Sequence, residues 1–207
     1  MTLRRIHRLS ATVVLAFALV HIANHLTALA GAPSHIAFMN SARLIYRIPA
    51  VEAILLAAVG VQVVSGSSLA ILGWKQRQEF VAWLQATAGL YLVLFLTIHV
   101  GAVLSGRALF HLDTNFYFAA AGFHVRPFQW FFAPYYFLAV IALFSHVACA
   151  TYWHMADAGK NTKRLAMTLP IAMGLVLALL IVMSFAGAFF PVDVPTEYKR
   201  IYPASIP

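Results

Sequence analysis

Apolar positions dominate this chain in long unbroken runs, and the charged residues fall between them. No Asp, Glu, Lys or Arg occurs in the 34 residues between Arg8 and Arg43. Charge-free intervals of 22, 27, 30 and 28 residues follow at 53–74, 80–106, 127–156 and 165–192. Each can supply the roughly 20 residues an α-helix needs to cross hydrocarbon. None sustains the two-residue alternation of a membrane β-strand. The pattern predicts an all-α integral membrane bundle, one transmembrane domain over residues 1–207, with helices near 10–30, 49–72, 80–104, 132–155 and 166–190. Pro49 suits the first turn of the second span and Gly73 its end. The connections are short except for 31–48 and 105–131, which are expected on the outer side of the membrane, the second folded back along the interface. Residues 191–207 read as an external strap.

Composition agrees. Hydrophobic residues make up 62% of the chain, charged residues 10%, and mean hydropathy is +0.84, far too apolar for a soluble domain of this length. The first run starts with basic residues, but it is longer than a signal peptide's apolar region and carries histidines, so it is expected to remain as a span. The net charge of +8 is spread in short clusters between spans, the pattern of membrane-flanking loops and not of a nucleic-acid surface. With the amino terminus inside, eight Lys and Arg residues face the cytoplasm and six face the other side, which favours a cytoplasmic amino terminus. Cys149 is the only cysteine, so an intrachain disulfide, a CxxCH haem attachment and a four-cysteine iron–sulfur cluster are all excluded. No GxGxxG or Walker A loop is present, which argues against a built-in flavin or nucleotide domain.

The polar exceptions carry the chemistry. His21, His25, Gln62, His99 and His146 lie well inside apolar runs, where an imidazole or amide is costly unless partnered. A core hydrogen bond would explain any one of them. Four histidines over three helices point instead to haem b, iron held noncovalently between imidazoles on separate helices at similar depth. His99 sits about one and a half turns from the outer end of its helix, and His21 and His25 lie one turn apart on one face, so either can oppose it. His146 matches Gln62 in depth; it could hold a five-coordinate haem, donate to Gln62, or pair with His21. One haem is expected, and a second remains open. Thr97 and Ser145 are candidates to orient the ligands. Glu52, barely inside the second span, is expected to pair with Arg43 or Arg47 or to pass protons to a quinone. Arg5 and Arg8, with Arg4, could hold propionates, lipid headgroups or a partner subunit. Inner quinone candidates are His7, Arg8, Ser10, Ser65, Ser67 and Trp74, and outer ones are His111, His124 and Arg126.

These residues resemble the single-chain, five-helix cytochrome b anchor of succinate dehydrogenases and fumarate reductases. RRIHRLSATVVLAFALVHIANHL looks like that family's opening and first helix, and FMNSARLIYRIPAVEAILLAAVGVQVVSG like its second. LQATAGLYLVLFLTIHV at 84–100 and FSHVACATYWHMADAG at 144–159 look like the ligand segments of the third and fourth. The resemblance implies that His21 and His99 hold an outer haem and that His146 is the ligand of an inner one. Gln62 stands where two-haem members place a histidine. It further implies flavoprotein and iron–sulfur partner subunits, quinone as electron partner, a cytoplasmic-membrane location, and possible homo-oligomers of such complexes. Two other readings compete: a differently partnered or stand-alone membrane cytochrome b, and a haem-free anchor or small-solute or proton transporter.

Overall fold

The computed structural model describes residues 2–155 and 157–203, among which there are eight α-helices and no strand. Five helices are long and apolar enough to cross a membrane: α1 (Leu3–Thr27, continued by a 3-10 turn to Ala30), α3 (Pro49–Leu72), α4 (Phe80–Ala108), α6 (Gln129–His154) and α7 (Lys160–Phe185). The expected multi-pass bundle is therefore present. The short helices α2 (Ala32–Tyr46), α5 (Phe116–Ala120) and α8 (Thr196–Lys199) lie at one end, called here the capped end. The amino terminus, the α3–α4 turn and the α6–α7 turn lie at the other, the open end.

The ends of the spans follow local chemistry. α3 begins at Pro49, where proline's missing N–H costs nothing, and stops before Gly73, matching the expected 49–72. α1 begins seven residues earlier than expected, because Arg4, Arg5 and Arg8 are exposed on its first turns and need not leave the helix to stay solvated. α7 stops at Phe185 instead of 190, where the chain turns through Gly187 at φ 79°.

Segment 31–48 is not an irregular loop. Gly31 at φ 101° breaks the chain after α1, and Pro33 starts α2. At 15 residues α2 is too short to span. His35 and Met39, one turn apart, face inward and are buried, while Leu44 and Ile45 face out. Segment 105–131 folds back as expected, with Phe116, Ala120 and Ala121 fully buried. The strap is anchored through Tyr198, buried with Ala121 and Val194, and through Tyr202 against Phe128 and Phe132. Residues 204–207 of the expected strap lie outside the described residues.

The spanning helices pack in chain order. α1 lies on α3, α3 on α4, α4 on α6 and α6 on α7, and α7 returns to α1. This closes a ring of five around a common interior. Large apolar side chains such as Leu19, Ile54, Val64, Leu94 and Leu169 point outward, as lipid contact requires. Trp74, Trp83 and Trp153 sit near the open end and Trp130 near the capped end, the positions expected for interfacial tryptophans.

Candidate functional site

Histidines gather at the capped end, inside the ring. His21 and His25 come from α1 and His99 from α4, helices separated around the ring by α3, so they meet across the interior. The His21 and His99 ring centres are 5.9 Å apart at 63°. His99 is stacked on Phe95 at 4.9 Å, and His21 on Phe17 at 5.5 Å. A cavity of about 240 Å³ opens beside them, walled among others by Tyr46, Ser105, Tyr136 and Tyr202.

His35 joins this group, and the sequence reading missed it because it was placed in a presumed loop. It is 2% exposed, and its Nε2 lies 3.2 Å from both Asn24 Nδ2 and His25 Nδ1. Burial, and after it the charges of His21 and Arg43, hold the His35 imidazole down to about 4, so it is neutral at pH 7. The Asn24 amide nitrogen can only donate, so His35 Nε2 is an acceptor and its proton is on Nδ1, which has no partner. His25 Nδ1 faces the same lone pair and must carry a hydrogen. His25 Nε2 is then bare, and His21 Nε2 donates to it at 3.0 Å. The chain His21–His25–His35 thus fixes each tautomer in turn. Of the two α1 candidates, His21 is the one set against His99, and His25 stands behind it as a hydrogen-bond partner.

Around this end runs a belt of charge. Glu52 pairs with Arg107, and both carboxylate oxygens are engaged. The expected pairing with Arg43 or Arg47 is not formed, since α3 lies beside α4 and Arg107 extends from the last turn of α4. Arg43 takes Asp113 at 2.7 Å instead, and Arg47 donates to Thr114 Oγ1 at 3.4 Å. Of the outer quinone candidates, His124 donates to Phe185 O at 2.8 Å, a structural bond that ties the α5–α6 segment to the end of α7, and His111 is exposed. Thr97 bonds Val93 O on the outside of α4 and is not placed to orient a ligand.

The other expected residues lie at the open end. Arg5 and Arg8 are exposed there and have no part in the His21–His99 group. Gln62 donates to His7 O and Ser10 Oγ, both at 2.6 Å, and so is engaged with α1 and not with His146. His146 Nδ1 lies 2.9 Å from Gln85 O. His154 bonds Ala150 O of its own helix, as a solvated interfacial residue would.

The residues at the capped end fit a haem iron. An imidazole nitrogen binds a transition metal at about 2 Å, which sets two opposed imidazole centres about 6 Å apart across the ion. The 5.9 Å spacing of His21 and His99 is of that order, with Nδ1 the nitrogen left to His21 once its Nε2–H is given to His25, and with aromatic walls beside the pair. Comparison with protein-family models, curated proteins and solved structures finds no match to this chain.

Proposed function

We propose that this protein is a haem b-containing membrane anchor that passes electrons between a soluble flavoprotein and iron–sulfur dicarboxylate oxidoreductase, of the succinate dehydrogenase or fumarate reductase kind, and membrane quinone. The observation that carries this reading is the pair His21 and His99, facing one another across the ring interior at 5.9 Å. When bound, the haem supplies a one-electron carrier within the bilayer. His21 and His99 would hold it, and their half-buried rings, stacked on Phe17 and Phe95, keep reorganisation small as the charge changes. His25 accepts the His21 Nε2–H and is itself oriented by His35, so the tautomer of His21 is fixed by hydrogen bonds behind it. In this reading the amino terminus is cytoplasmic, the membrane is the cytoplasmic membrane, and the capped end faces away from the cytoplasm.

The test is a pyridine haemochrome assay on the purified chain, produced with haem in supply, with protein quantified on the same sample. At least one haem b per chain is expected, with a low-spin spectrum that is lost in His99→Ala and His21→Ala but only perturbed in His25→Ala. A chain without haem would overturn the reading and leave the haem-free anchor or transporter. The engagement of Gln62 with α1 favours a second reading, a cytochrome b with another donor. Co-purification of a flavoprotein and an iron–sulfur protein separates the two.

A further inference from the structure

The hydrogen-bond chain at the capped end can run in either of two directions, and only one of them suits a metal. A neutral imidazole donates at one nitrogen and accepts at the other, so each ring in His21–His25–His35 orients the next. In one direction His21 donates from Nε2 to His25, His25 donates from Nδ1 to His35, and His21 keeps a bare Nδ1. In the other, His35 donates from Nε2 to His25, His25 donates from Nε2 to His21, and the His21 hydrogen moves to Nδ1. A metal binds through a lone pair, so the second arrangement leaves His21 no nitrogen to offer.

Nothing in the three rings themselves prefers either direction, but Asn24 does. Its Nδ2 lies 3.2 Å from His35 Nε2, the same nitrogen that His25 Nδ1 faces at 3.2 Å. An amide nitrogen carries hydrogens and no free lone pair, so it tolerates only a bare His35 Nε2, and the first direction follows. This amide orientation leaves Asn24 Oδ1 without a partner. The opposite one would strand N–H hydrogens instead, and orphaned N–H groups are the rarer of the two. Asn24 is 5% exposed and His35 2%, so bulk water does not compete for either. Of the other elements packed on His35, α5 and α7 bring the rings of Phe116 and Phe185, at 5.4 and 6.5 Å. Arg43, two turns along α2, acts on His35 by its charge and is itself engaged by Asp113. Asn24 directly precedes His25, about 100° around α1, which takes it off the face of His21 and His25 and lets it reach α2.

We infer that Asn24 is a positioning residue: it sets the direction of the His35–His25–His21 chain and so leaves His21 the bare Nδ1 through which it can bind iron. The iron half of this rests on the proposed cytochrome reading. The placement of the hydrogens does not, and it holds equally in the chain without haem. Asn24 reaches His21 only through two imidazoles, so cutting the chain between them removes its influence.

The experiment is NMR of the imidazole nitrogens in the full chain, labelled at histidine and prepared without haem, which reads the tautomer of each ring. The His21 signals are those absent from His21→Gln. Wild type should show His21 bare at Nδ1 and protonated at Nε2. Asn24→Asp has the same shape but, ionised at alkaline pH, can only accept. It should place the His35 hydrogen on Nε2 and move that of His21 to Nδ1. Asn24→Leu should leave His21 in both forms, since neither direction is then favoured. In a His35→Phe background, Asn24→Asp should no longer alter His21. With haem supplied, Asn24→Asp should bind it about tenfold more weakly, the size expected for a lost ligand-orienting bond, at unchanged helix content. His21 protonated at Nδ1 in wild type, or unmoved by Asn24→Asp and Asn24→Leu at wild-type helix content, would overturn the inference. Tautomers that shift as expected in a chain that takes up no haem would uphold the control by Asn24 and overturn the cytochrome reading beneath it.

Discussion

Asp113 shows how single residues set the chemistry of the capped end. Burial alone would raise its carboxyl, but the hydrogen bond and charge of Arg43 prevail, and Asp113 is held below its ordinary value of 3.8. A carboxyl depressed on folding contributes stability that is complete above its unfolded value and disappears as pH falls through the lower folded one. The contact between α2 and the α4–α5 segment should therefore hold above pH 4 and loosen below it. Hydrogen exchange of the α2 amides should rise over that acid window in wild type. In Asp113→Asn it should be raised already at pH 7, with the acid step gone; an unchanged step would mean that another group titrates. His35 is the other residue of note. It was not recognisable as part of a site, because a histidine in a segment read as a loop carries no periodic signal. His21, His25 and His99 were recognisable because hydrocarbon makes an unpaired imidazole costly.

Among the elements, α6 and α7 are packed closely at Gly174. A Cβ at Gly174 of α7 would lie 2.5 Å from Phe144 Cβ of α6, inside any permissible contact. Gly174→Ala should push the two helices apart and cost about 1–3 kcal/mol, read as a lower melting temperature in detergent. Gly60→Ala on α3, where nothing lies within 4 Å, should leave the melting temperature unchanged or slightly raised. Equal losses in the two variants would mean that helix packing is not what Gly174 serves. α2 illustrates the limit of span reading. Charge-free intervals find helices that cross a membrane, but α1 and α2 share one such interval, and only Gly31 at φ 101° divides it.

For the whole molecule, the capped end depends on the strap. Tyr202 packs on Phe128 and Phe132 and forms part of the wall of the His21–His99 cavity. Truncation after Pro195 should open that wall, so that haem held at the capped end is lost faster to an acceptor such as apomyoglobin while the helix content is kept. An unchanged rate would show that the strap does not retain the cofactor. The number of spans, their approximate limits and the histidines inside them were all determined by the sequence, because hydrocarbon penalises charge and unpaired polar groups position by position, and such a penalty is written in composition and spacing. Which histidines meet was decided only by the tertiary structure. Closure of the ring brings α1 opposite α4, so His21 reaches His99. The Glu52–Arg107 pair and the place of His35, on the inner face of α2 against His25, follow from the same closure. Rotation of a helix about its axis and its choice of neighbours depend on the summed packing of residues far apart in the chain, and no single interval of sequence carries that sum.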